Sequence, residues 1–108
     1  MASKRQDRLN ELLRETAAEF VRGIANNQSL ITVTRADVSP DVRQCTIFFT
    51  TIPADQQQIA ADFLNRHASE LRSHAKSRLN LKRLPFFQFK VDMGERHRQH
   101  IEEISKDL

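Results

Sequence analysis

The densest chemistry in this chain lies between residues 66 and 90, RHASELRSHAKSRLNLKRLPFFQFK. Arg66, Arg72, Lys76, Arg78, Lys82, Arg83 and Lys90 face one acid, Glu70, so the stretch carries +6 while the whole chain carries +3. Residues 1–25 sum to +1, and residues 26–65 and 91–108 to −2 each. Positive charge gathered in this way attracts polyanions. A merely solvated Lys/Arg face has the same local composition, so the rest of the chain must decide between the two.

Other reactive side chains offer less. Cys45 sits in a β-branched and aromatic run, with only Arg43 nearby to activate it, which points to a packed thiol rather than a nucleophile. His67 and His74 are seven residues apart, about 10 Å along a helix, too far to share one ion. His97 and His100 share a face, but only Glu95, Glu102 and Glu103 accompany them. No metal site and no cofactor is expected from these spacings. The chain has no nucleophile elbow, no phosphate loop and no paired carboxylates on a pocket wall, so an enzyme is not expected. Asp37 and Asp41 flank a turn, and turn chemistry explains them.

These cations need elements to hold them. Ala60, Leu64, Ala68, Leu71, Ala75 and Leu79 recur in steps of three and four and form the apolar stripe of a helix over about 56–80. Arg72, Lys76 and Arg83 fall off that stripe, as does Lys82, so one side packs while the other presents charge. Ile59 and Phe63 are also expected to face inward. Asp55 is the expected helix cap, with Gln58 as its reciprocal partner.

Upstream, residues 4–25 read as an amphipathic helix with Leu9, Leu12, Leu13, Thr16, Phe20, Val21 and Ile24 inward, ending near Asn26-Asn27. Residues 29–38 and 42–52 form a hairpin around the Ser39-Pro40-Asp41 turn. A phase shift near Thr34-Arg35 predicts a bulge. Pro53 ends the second strand. Pro85 forces Leu84 towards an extended conformation, and Phe87, Phe89 and Val91 alternate with Gln88 and Lys90 in a third strand. Phe86 falls on the outer phase of that strand.

The chain has 108 residues and 39% hydrophobic content, which suits one domain over residues 1–92 with a charged, flexible tail over 93–108. No apolar run approaches the roughly 20 residues that span a bilayer. The N-terminus lacks the apolar core of a secretory signal, and a single cysteine suits a reducing compartment. A cytoplasmic protein is expected.

The order helix, strand, strand, helix, helix, strand is that of an α+β fold, a type II KH-like domain with a three-stranded sheet packed on helices. The segments LITVTRADVSPDVRQCTIFFTTI and LNRHASELRSHAKSRLNLKRLPFFQFKVD closely resemble those of the bacterial ribosome-binding factor A family. The Leu71-Arg72-Ser73 step, Arg78-Leu79, Leu81-Lys82-Arg83 and Pro85 before a strand carry the match. It covers roughly residues 5–92.

KH domains that grip single-stranded RNA use a Gly-x-x-Gly loop between their middle helices. This chain lacks one, its only glycines being Gly23 and Gly94. The family it resembles has an Ala-x-Gly kink there instead. The matching positions are His67, Ala68 and Ser69, so the kink is atypical or absent. Either Ser69 caps a second helix, or it bonds back to a carbonyl and bends a continuous one. The stripe holds its phase through this point, so a single bent helix is an alternative to two helices.

The resemblance implies a non-catalytic assembly factor. Such factors bind the free or immature 30S subunit, through the 5′ and central helices of 16S rRNA, and assist late maturation and 5′-end processing. They matter most for growth in the cold, and a monomer is expected. Arg72, Lys76, Arg78, Lys82, Arg83 and Arg66 are the candidate RNA contacts, with Arg5 and Arg8 a weaker second cluster. With no Tyr or Trp and most Phe in the core, base stacking is expected to contribute little. The alternative is a KH-like protein-interaction module whose basic face meets an acidic partner.

Overall fold

The computed structural model describes residues 4–24 and 30–94. Its elements are α1 (Lys4–Ile24), β1 (Leu30–Val38), β2 (Gln44–Ile52), a one-turn 3-10 helix (Ala54–Gln56), α2 (Gln57–Arg66), α3 (Ala68–Arg78) and β3 (Phe86–Val91). This is the expected α+β order. The proposed helix end at Asn26-Asn27 and the tail beyond Gly94, with His97 and His100, lie outside the described residues.

β2 is the middle strand. β1 pairs with it antiparallel and β3 parallel. A hairpin makes the first pairing, and the second requires the crossover that α2 and α3 supply. The register shifts between Val33 and Arg35, at the bulge foreseen from the phase change. The shift lets Val33, Ala36 and Val38 all face the core.

The hairpin turn is held by its own side chains. Ser39 Oγ donates to Asp41 Oδ1 at 2.6 Å, and the Arg43 N–H donates to the same carboxylate at 3.1 Å. These two bonds, the Ser39 hydroxyl first, hold the Asp41 carboxyl below its usual range. They also offset a strained neighbour, since Val42 is a β-branched residue at φ 58°.

One face of the sheet is dry. Cys45, Ile47, Phe49, Phe87 and Phe89 pack there against Leu13, Ala17 and Val21 of α1, Ala60 and Leu64 of α2, and Leu71 and Ala75 of α3. The other face shows Gln44, Thr46, Phe48, Gln88 and Lys90 in alternation with those core residues.

Several local assignments need correction. Leu12 is 38% exposed and Ile59 64% exposed, each one helical step outside the stripe that meets the sheet. Ala17, whose small side chain gives little hydropathy signal, is fully buried instead. Asp55 does not cap α2. It lies inside the 3-10 turn, one residue too early for its carboxylate to reach the helix N–H groups. Gln58 donates to Asp62 Oδ1 at 3.0 Å rather than back to a cap.

The helix over 56–80 is two helices, not one bent one. His67 separates them at φ −102°, ψ 9°, a conformation open to any L-residue, so no glycine is needed. Its N–H donates to the Leu64 carbonyl, and its own carbonyl accepts from Leu71. Its ring packs on Phe63 with centroids 4.8 Å apart, and Nδ1 lies 3.2 Å from Glu70 Oε1. Ser69 makes no cap, because His67 occupies the cap position.

Candidate nucleic-acid interface

α3 and β3 enclose a groove of about 590 Å³. From the helix side it is lined by Arg66, Ala68, Ser69, Arg72, Ser73 and Lys76, and from the strand side by Leu84, Phe86 and Phe87. The helix wall runs across the break at His67. Arg66 at the end of α2 and Ser69, Arg72, Ser73 and Lys76 of α3 follow at spacings of three and four and all line the groove. The small Ala68 side chain keeps the corner open.

Asn65 fixes the helix wall to the strand wall. Its side-chain N–H donates to the Phe89 carbonyl at 3.2 Å, and its side-chain oxygen accepts from the Phe89 N–H at 2.9 Å. The amide thereby occupies the free edge of β3 as a neighbouring strand would. Asn65 is absent from the sequence-based candidates. Only the fold places it beside a strand 24 residues away.

The candidate cations have different fates. Arg66, Lys76 and Lys82 are exposed, and no ion pair or hydrogen bond engages them among the described residues. Arg72 does not point outward as its position off the stripe suggested. It is half-buried and crosses the groove, donating to the Leu84 carbonyl at 3.1 Å, with its guanidinium 4.4 Å over the Phe86 ring. Its buried Nε has no acceptor among the described residues. Arg78 is paired with Glu19 of α1. Arg83 donates to the Asp41 carbonyl at 3.1 Å, which ties the loop after α3 to the hairpin turn. Arg5 and Arg8 are exposed on the first turns of α1, which does not line the groove.

The remaining reactive groups are structural. Cys45 is fully buried, and burial pushes its thiol up to about 12. His74 packs on Phe20 with centroids 5.6 Å apart. Among the described residues no three His, Cys, Asp or Glu side chains gather as metal ligands, and no helix is long and apolar enough to cross a membrane.

Comparison with known proteins agrees with this arrangement. The family model described as ribosome-binding factor A matches residues 5–105. A ribosome-binding factor A of Protochlamydia amoebophila is 32% identical over 96% of this chain and 82% of its own length. That of Thermodesulfovibrio yellowstonii is 33% identical over 95% of this chain and 92% of its own length. The crystal structure of ribosome-binding factor A from Thermus thermophilus superposes with a TM-score of 0.72, covering 80% of this chain and 94% of that one, at 21% identity. The fold is therefore shared, and by its match over nearly the whole sequence this chain belongs to the ribosome-binding factor A family, a family of binding factors and not of enzymes.

Proposed function

We propose that this protein binds the free or immature 30S ribosomal subunit through 16S rRNA. In this role it assists late maturation and 5′-end processing without catalysing either, as a cytoplasmic monomer most needed in the cold. Residues 1–92 form the docking domain, and residues 93–108 are a charged tail outside it.

One observation carries the reading. Arg66, Arg72 and Lys76 converge on a groove that contains no carboxylate, and Lys82 lies exposed nearby. Serine hydroxyls at 69 and 73 stand between the cations, a donor set suited to phosphate oxygens. Asn65 and the Arg83 bond to the hairpin turn keep these groups on a fixed frame.

Filter binding of the protein to small-subunit precursor rRNA tests this, with an acidic polypeptide as competitor. Affinity is expected to fall steeply as salt rises, because neutralised phosphates release counterions. The polypeptide is expected not to displace the RNA. Displacement by the polypeptide with a flat salt response would assign the face to an acidic protein instead.

A further inference from the structure

Phe86 is 66% exposed at the start of β3. A lone surface phenylalanine means little by itself. Its position here is unusual, because it is the partition between two hollows. On one side is the cationic groove, with Arg72 stacked on the ring. On the other is a shallow hollow of about 230 Å³, lined by Gln44, Phe86, Phe87 and Gln88, on the sheet face away from the helices.

The partition is held rigidly. The Phe86 N–H donates to the Arg43 carbonyl at 2.9 Å, and Phe86 lies beside Gln44 in the β2–β3 register. Gln88 Nε2 donates to Thr46 Oγ1 at 2.9 Å, which orients that amide and leaves its carbonyl oxygen and second N–H available. The Gln44 side chain is exposed and has no partner among the described residues. A π-face flanked by two amides, next to a row of cations, matches an unpaired nucleotide: base on the ring, base edge on the amides, phosphates in the groove. Phe48, on the same sheet face, is not equivalent. It is half-buried, whereas Phe86 is 66% exposed although each ring has an arginine over it.

We infer that Phe86 is a stacking post for one unpaired RNA base, with Gln44 and Gln88 meeting that base's edge, so that the protein prefers single-stranded over duplex RNA. This rests on the rRNA reading of the groove and deepens it. It also reverses the sequence-based expectation that stacking contributes little.

The test uses the full chain and two RNAs of about ten nucleotides, within the span one small domain covers. One is unstructured and carries a fluorescent adenine analogue at its centre. The other is the same strand in a duplex. Phe86→Ala is expected to lower the ratio of single-strand to duplex affinity by about 5- to 150-fold, the range for loss of one base–aromatic stack. Phe86→Tyr is expected to keep both the ratio and the quenching of the analogue, which Phe86→Leu loses. Lys76→Glu separates the two levels of the argument, since it is expected to weaken binding to both RNAs. If Lys76→Glu weakens both and Phe86→Ala leaves the ratio unchanged, the stacking post is overturned and the rRNA reading stands. If neither RNA binds the wild type, or Lys76→Glu has no effect, both fall. Circular dichroism of each variant checks that the fold is intact.

Discussion

Lys76 and Arg72 sit one helical turn apart, yet their substitutions should behave differently. Lys76 is exposed with no partner among the described residues, so Lys76→Glu should leave the urea midpoint near wild type. It should weaken subunit binding several-fold and reduce the salt slope by about one. Arg72→Glu removes a hydrogen bond from a charged donor and a cation–π contact, and should cost about 2–3 kcal/mol of stability as well. Equal midpoints for the two variants would show that Arg72 does not bridge the groove. Cys45 provides a separate residue-level check. Its thiol ionises near 9.0 ordinarily but at about 12 in the fold, because it is buried. Above about pH 9 the unfolded chain therefore holds fewer protons than the folded one. The stability this group contributes is whole below about pH 9 and is lost as pH rises towards about 12. The stability gap between wild type and Cys45→Ala should shrink between about pH 8 and about pH 10.5, as read by urea denaturation. A constant gap would mean that the thiol ionises alike in both states.

Among the elements, α2 and α3 do the positioning, and Leu71 and Asn65 are two of the side chains that connect them to the sheet. Leu71 is fully buried at the start of α3, and Leu71→Ala should cost about 2–5 kcal/mol as a core truncation. Asn65→Ala removes both bonds to Phe89 and should cost about 1–3 kcal/mol. It also bares the β3 edge, so self-association should rise, which sedimentation velocity would detect. The hairpin, its bulge and the stop at Pro53 are legible in the sequence because alternation, a phase slip and proline each leave a local mark. The break at His67 leaves no such mark in the periodicity, and only the family resemblance points to a kink at His67, Ala68 and Ser69. Leu64, Leu71 and Ala75 keep helical spacing across it, and the bridging conformation requires no special residue. Arg72 escapes sequence reasoning for a related reason. Spacing along one helix tells which side of the stripe a residue falls on, but not that Leu84 and Phe86 lie within its reach. The Arg78–Glu19 pair likewise depends on the neighbourhood of α1 and α3, which no local pattern records.

At the scale of the whole molecule, three helices cover one sheet face, and the basic groove opens beside its β3 edge. The charge excess seen in residues 66–90 is thus divided. Arg78 and Arg83 brace the fold and Arg72 spans the groove, while Arg66, Lys76 and Lys82 stay exposed with no partner among the described residues. The most direct measurement is sucrose-gradient sedimentation of cell extracts expressing the wild type or the double variant Lys76→Glu, Lys82→Glu. The wild type is predicted to travel with free small subunits and to be absent from joined ribosomes, while the folded double variant stays at the top of the gradient. A double variant that still travels with the small subunits would contradict the assignment of this groove to ribosomal RNA.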